Sequence, residues 1–340
     1  MAADDRQVPP KLVRRLLEIR LEHLIDVREP LVLIGHKGRS GGTLLNQLLD
    51  SHPSVHSHPG ELEFRRGDED WPVVDLDGDP DRWFDRLAEG HVSRGFAAGY
   101  TKGTGREGEL EAERFPFLLA PSFQRALFGE LAARTPHESQ RDVFDTYFTS
   151  YFNAWLDNQN LYSPAPKRWV VSHRASLARS RPGRDAYFAT YPDGRLLAPV
   201  REPKGWYASA RRIHPHHAYD LDGAIDQWLH AAGETLHAAQ NHPDQVLVLR
   251  YEDLVGHTAD VMSTVADWLG IDEAPSLLEP SFNGMPIRPN SSFEITGHGV
   301  RREPLGAWRR ELAPEECERI DALAGEAYRT LVESPATVAP

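Results

Sequence analysis

The run Gly35-His36-Lys37-Gly38-Arg39-Ser40-Gly41-Gly42-Thr43-Leu44 sets glycines among cations and hydroxyls. It follows the apolar stretch Leu31-Val32-Leu33-Ile34 and leads into Leu44, Leu45, Leu48 and Leu49 at helical spacing. A glycine-rich turn between a buried strand and a helix aims successive backbone N–H groups at one point, and the helix dipole adds positive potential there. The chemistry of such a nest is anion binding, phosphate first; its bland alternative is a tight turn at a strand end. Other clusters are weaker. His52, His56 and His58 group together, as do His214, His216 and His217, but a metal needs defined geometry and usually a carboxylate or thiolate partner. With 16 histidines in the chain such groups arise by chance, and no metal is expected. Asp75 to Asp81 begins like a calcium loop, yet Pro80 and Arg86 stand where that loop needs glycine and glutamate. It reads as a solvated acidic turn.

Three functional readings compete for the nest. A nucleoside-triphosphate P-loop needs lysine immediately before its Ser or Thr. Gly42 holds that place before Thr43, so a small-molecule kinase loses its main grip. Gly38-Arg39-Ser40-Gly41-Gly42 also fits the G-x-S-x-G nucleophile elbow of α/β-hydrolases. Only one helix and one strand precede Ser40, which leaves no earlier loop to supply an oxyanion donor. The third reading fits best: Gly38 through Leu45, followed by Leu49-Asp50-Ser51-His52-Pro53, resembles the 5′-phosphosulfate loop of sulfotransferases that use 3′-phosphoadenosine-5′-phosphosulfate (PAPS). That family writes the loop R/K-S-G-T-T-L-L, then a leucine-rich helix and a His-Pro turn. Gly42 departs from the first threonine, losing one hydroxyl contact while the backbone nest survives. The resemblance implies that Lys37, Gly38, Arg39, Ser40, Gly41, Gly42, Thr43 and Leu44 surround the donor.

Downstream stretches repeat the resemblance in the right order. Pro199-Val200-Arg201-Glu202-Pro203 through Ser209 is similar to the family's 3′-phosphate element, in which a strand-end arginine and a serine on the next helix bind one anion. Arg301-Arg302-Glu303-Pro304-Leu305-Gly306-Ala307-Trp308-Arg309 resembles the R-K-G-x-x-G-x-W-[KR] loop that closes over the same phosphate. Glu303 departs from its glycine. Arg250-Tyr251-Glu252-Asp253-Leu254 and Trp268-Leu269-Gly270-Ile271 match scaffold signals, with Tyr251 placed near the adenine or in the core.

The resemblance implies transfer of a sulfuryl group from PAPS to a hydroxyl or amine of a small molecule, leaving adenosine 3′,5′-bisphosphate (PAP), without a metal. Such chemistry rests on in-line positioning and charge stabilisation. Arg39 matches the cation at the bridging oxygen, with Lys37 as its neighbour. A base must accept the acceptor's proton. Glu61, in Pro59-Gly60-Glu61-Leu62, matches the acidic base of related enzymes; His58 and Glu63 are the next candidates. Ser172-His173-Arg174 falls where the family often carries a lysine at the sulfate, so His173 or Arg174 takes that role. A binding protein for PAP without turnover is the rival from a different class.

These residues need an α/β scaffold, and the rest of the sequence supplies one. Pro10 to Val27 reads as an amphipathic helix, ahead of a single domain over residues 30–330. Strands are expected at Leu31–Ile34, just before Glu61, at Trp169–Ser172, at Leu196–Val200 and at Val246–Tyr251, in a central parallel sheet flanked by helices. Helices are expected at 43–50, 204–213 and 258–269. Residues 68–161 read as a variable insertion that builds the acceptor pocket, and Arg114 to Asn160 as helical. The aromatic stripe Phe144, Tyr147, Phe148, Tyr151 and Trp155, with Trp71 and Trp83, hints at an aromatic or apolar acceptor, or at a core. The tail from residue 331 is expected to fray.

Composition sets the outer limits. The chain has 340 residues and a net charge of −13, which argues against a nucleic-acid partner while leaving room for a local basic pocket. Apolar residues are 40% of it, enough for a substantial core. Cys317 alone excludes an intrachain disulfide framework. No apolar run approaches a membrane span. A cytoplasmic enzyme is expected, and a homo-oligomer is compatible with this composition.

Overall fold

The computed structural model describes residues 8–64, 70–102, 113–213, 220–293, 295–335 and 337–338. The cluster of His214, His216 and His217 lies outside them. Leu31–Ile34 forms β1, buried at every residue, as a strand covered on both faces requires. β2 is Val55–Glu61, followed by a small antiparallel pair, β3 (Tyr100–Lys102) and β4 (Glu113–Phe115). Then come β5 (Trp169–His173), β6 (Arg195–Val200), β7 (Val246–Arg250) and a two-strand hairpin, β8 (Ser281–Phe282) and β9 (Met285–Pro286). The main sheet has the order β2-β5-β1-β6-β7, with every pairing parallel. In such sheets ligands bind outside the carboxyl ends of the strands, where connections diverge. β1 is the centre, and the glycine turn follows it directly.

Alternate residues of β1 enter opposite cores. Leu31 and Leu33 join one with Val170, Leu196 and Trp228; Val32 and Ile34 join the other with Leu45, Leu48, Val171 and Leu197. The helix Gly42–Leu49 closes the second core, and the helices Leu221–Asn241 and Pro314–Val332 pack on the first. The expected strands and the helices at 203–213 and 258–269 stand where the sequence put them, within a residue or two.

Three expectations need correction. The first helix is Pro10–Glu22, not Pro10 to Val27. Beyond it the chain is extended, because the Ile25 and Val27 amides donate to Asn153 Oδ1 and Thr149 Oγ1 at 3.1 and 3.0 Å. Arg114 to Asn160 is not one helical run: β4 is followed by helices Pro121–Arg134 and Gln140–Ala154. Between them Ser139 and Asp142 cap the second helix reciprocally, a stop and restart that the aromatic stripe masks. The stripe is core: Phe144, Tyr147, Phe148, Tyr151 and Trp155 are at most 1% exposed, and Trp71 stacks on Phe144 at 4.7 Å. Of the two readings of the stripe, the structure shows the core. Finally, fraying does not reach residues 337–338, where Thr337 bridges to Val248 and Val338 is buried against the sheet. The acidic turn also has a local task, since Asp79 caps the helix Pro80–Leu87 through the Asp81 amide at 3.0 Å.

A buried carboxylate held by two histidines fastens residues 80–98 to the sheet. Glu89, between the helices Pro80–Leu87 and Gly90–Ala98, has a side chain that is 0% exposed. Its Oε1 lies 3.2 Å from His58 Nε2 on β2 and accepts from the Tyr147 hydroxyl at 2.8 Å. His91 Nδ1 lies 3.2 Å from the other carboxylate oxygen. These three groups, with ligand-type atoms within 4.8 Å of one another, form a compact His–Glu–His cluster. Burial works to raise the Glu89 pKa, but the charges of His58 and His91 and their hydrogen bonds overcome it and hold it below the usual carboxylate range. A depressed carboxylate stabilises the fold above its unfolded pKa and loses that contribution as pH falls. Glu89→Ala should therefore cost about 3–5 kcal/mol at pH 7, the range for breaking a buried pair. Urea denaturation checks this, and the gap to wild type should narrow as pH falls below about 4.3.

Candidate functional site

The turn after β1 is crowded and cationic. Arg39 and Gly41 both have left-handed backbone, at φ 77° and 94°, the alternation that makes an anion nest. Glycine is required at 41 twice over: for its φ, and because a Cβ there would lie 2.6 Å from the Tyr251 ring. Gly42 opens the helix Gly42–Leu49, whose first intrahelical bond runs from the Leu45 amide to the Gly41 carbonyl at 3.0 Å. The amides ahead of it lack intrahelical partners, as at every helix start.

Distant segments converge on this turn. Arg201, one residue past β6, is 5% exposed and donates to the Arg39 carbonyl at 3.2 Å. Its guanidinium lies 4.4 Å from the Tyr251 ring centroid, while its Nε is buried without a hydrogen bond. Tyr251 is the first residue of the helix Tyr251–Gly256 rather than the end of β7. It packs on the glycine turn. Ser209, buried on the helix Pro203–Ile213, lies 3.4 Å from Arg39 Nε and 2.6 Å from Ser292 Oγ. Arg301 joins from the C-terminal loop and pairs with its own Glu303, Nε to Oε1 at 3.1 Å. Glu303, the departure from the resemblance, thus supplies a counter-charge to the arginine.

The result is an open cleft over the nest. Arg39, Arg201 and Arg301 line it, and among the described residues no carboxylate does. In a chain of net charge −13 that is a local concentration of positive charge.

Other expected residues stand apart from the cleft. Lys37 turns away: its ammonium donates to Gln227 Oε1 at 2.9 Å and lies 5.4 Å from the Trp206 ring centroid. Burial, with Arg179 nearby, pushes its pKa down to about 8. Gly38 contributes its carbonyl to Trp206 Nε1 at 2.8 Å. Ser40 is 1% exposed and borders a separate small cavity with Lys37 and Trp228, whereas a nucleophile elbow must present its serine. Arg302 donates to the Gly256 carbonyl and does not line the cleft. Trp308 pairs Nε1 with Glu202 at 3.1 Å, tying the closing loop to the helix behind Arg201.

The base candidates sit at the neighbouring strand ends. Glu61 ends β2 opposite His173 on β5, and its Oε1 accepts from the Ala175 amide at 2.9 Å. Burial raises its pKa, against the lowering effects of that bond and of the Arg174 charge. His173 is 8% exposed, and its ring lies 6.1 Å from that of His36. Arg174 is held by backbone, donating to the Leu62 and Asp70 carbonyls. His58 is committed to Glu89, and exposed Glu63 pairs with Arg94 at 2.9 Å. His36, Asn290 and Ser292 line the cleft without having been singled out from sequence. The stretch Pro289-Asn290-Ser291-Ser292 has only the composition of an ordinary loop.

Comparison with known proteins agrees with this geometry. The sulfotransferase family model matches residues 30–275. No curated protein matches the sequence. Among solved structures, the sulfotransferase domain of the Synechococcus PCC 7002 olefin synthase is 20% identical, with a TM-score of 0.50, over 92% of this chain and 98% of that one. The sulfotransferase domain from the curacin biosynthetic pathway is 18% identical, with a TM-score of 0.51, over 87% of this chain and 98% of that one. At such identities the two structures speak for a shared fold. The matched span includes the glycine turn, the Arg201 strand end and β7, and on it the chain belongs to the sulfotransferase family.

Proposed function

We propose that the arginine-lined cleft is the site at which this sulfotransferase binds PAPS and passes its sulfuryl group to a hydroxyl or amine of a small molecule. The observation that carries the reading is the convergence of Arg39, Arg201 and Arg301 on one nest with no described carboxylate among its walls. A nucleotide with phosphates at both its 3′ and 5′ positions needs two separate anion cradles. The nest of residues 39–44 suits the 5′-phosphosulfate, and Arg201 with Ser209 suits the 3′-phosphate. Arg39 Nε reaches within 3.4 Å of Ser209 Oγ, so the two cradles share a wall. Against a kinase stands Gly42, which leaves no lysine at the nest's tip.

Catalysis then divides between the two strand ends. Arg39 meets the charge that grows on the bridging oxygen as the sulfuryl group leaves. Glu61 accepts the acceptor's proton. Burial raises its pKa, which makes it a stronger base near neutral pH than an exposed glutamate. His173, between Glu61 and the turn, borders the transferring group. The closing loop of Arg301 covers the donor from the outside.

Two measurements test these roles. Arg201→Ala should weaken PAP binding by roughly 10- to 100-fold in titration calorimetry, as a charge-assisted bond is worth about 1.5–3 kcal/mol. Ser209→Ala should weaken it less; unchanged affinity in both variants rules out the 3′-phosphate assignment.

For Glu61 the test is kinetic. Glu61→Gln should lower kcat by about 100-fold or more with PAP affinity nearly intact. Because the base works only when ionised, wild-type kcat/KM should rise with pH through a limb displaced above the ordinary glutamate range. Wild-type turnover by Glu61→Gln, alongside loss of turnover in His173→Ala, moves the base to the histidine.

A further inference from the structure

His36 stands where the turn after β1 meets the loop helix, and neither the nest nor the arginines use it. Its ring is 7% exposed and lines the cleft. Nδ1 lies 2.9 Å from the Lys37 carbonyl, and since a carbonyl only accepts, Nδ1 carries the proton. Nε2 is therefore a lone pair in the neutral ring. It is buried and makes no hydrogen bond, a costly state for a polar atom. At the wall of an anion cleft that state is relieved when the anion arrives.

The ring also replaces a side chain. A Cβ built on Gly42 would lie 2.1 Å from His36 Nε2 and 2.2 Å from Cδ2. Position 42 is the first residue of the helix whose amides face the nest. The imidazole thus fills the space into which a side chain at 42 would project, and it brings a nitrogen there. We propose that His36 is a ligand of the donor's 5′-phosphate: as the anion enters, the ring takes up a proton from solvent on Nε2, keeps it, and donates a hydrogen bond through it to a phosphate oxygen. This rests on the reading of the cleft as the PAPS site.

The electrostatics set the sign. In the empty cleft burial lowers the ring's pKa most; the Lys37 carbonyl bond opposes it and the Arg39 charge adds to it. Among the described residues, the other titratable groups facing the ring or its cleft are His173 on β5, Arg201 past β6, Tyr251 on its helix and Arg301 on the C-terminal loop. None is anionic at neutral pH. A bound phosphate reverses that balance and raises the pKa. Binding then takes up a proton in the window between the lowered free value and the raised bound one, and the extra donor is lost as pH climbs above it.

The test is PAP titration by calorimetry across that window, in buffers of different ionisation enthalpy, which counts protons taken up. PAP's own phosphates titrate too, so the readout is the difference between wild type and His36→Gln. Wild type should take up more protons per PAP, and its affinity should fall more steeply with rising pH, by up to about tenfold per unit. The double variant His36→Ala with Gly42→Thr guards against simple loss of packing. With the ring gone position 42 has room for a side chain, so it should bind PAP better than His36→Ala while lacking the extra proton. Equal proton uptake by wild type and a PAP-binding His36→Gln overturns the role of His36 and leaves the donor site standing. Wild-type protein that takes no PAP overturns both.

Discussion

The turn after β1 has no room, and much of the molecule is arranged around that constraint. Tyr251 presses on Gly41 and the His36 ring on Gly42, so the backbone there can carry no side chain. Two residues of the turn hold left-handed conformations, one of them Arg39, where the strain is about 1–3 kcal/mol. Strain of that kind persists only where neighbours fix it. Here they do: Trp206 takes the Gly38 carbonyl, Arg201 takes the Arg39 carbonyl, and the Gly35 amide donates to Leu197 at 3.0 Å. Each partner comes from a segment more than a hundred residues later. The nest is therefore a product of the whole sheet, not a local loop.

The cleft inverts the charge of the chain. A net charge of −13 repels an anion carrying several negative charges, and only a local concentration of arginine can offset it. Arg201 is the most telling of these. Buried at 5% exposure, it faces the π-face of Tyr251 and leaves Nε without a hydrogen bond. Burial lowers its pKa, yet a guanidinium stays charged in proteins. A buried cation of this kind is expensive without an anionic partner. In the proposed reading the 3′-phosphate of the donor is that partner.

The α/β frame was legible because it is written in short-range patterns: an all-apolar β1, a glycine turn, and leucines at helical spacing after it. The nest, Arg201, Ser209 and Arg301 were legible through order as well as type. What stayed hidden has a common physical cause. Whether Lys37 faces the cleft or Gln227 depends on a side-chain direction set by a helix almost two hundred residues away. Arg302 differs from Arg301 only by one position on an irregular loop, and the loop's path decides which of them lines the site. His36 lay in plain sight within the motif, but its meaning requires knowing that Gly42 has no space. The break between the helices Pro121–Arg134 and Gln140–Ala154 was masked by aromatics that belong to one core on both sides of it.

The insertion and the proposed base are linked through one strand. Among the described residues β2 is an edge strand, paired only with β5, and its register shifts between Ser57 and Glu61. Pro59 has no amide to donate, so an irregular edge is where it can stand, and such bulges re-aim the residues beyond them. Here the residue re-aimed is Glu61. The bulge is braced from inside by His58, whose Nδ1 lies 3.0 Å from the Gly60 carbonyl and 3.1 Å from Ser172 Oγ. The same ring uses Nε2 to hold Glu89 of the insertion. Gly60 meanwhile lies under His91, whose ring would be 3.6 Å from a Cβ there. Glu89, His58 and His91 thus form a continuous set of contacts from residues 80–98 to the backbone that aims Glu61.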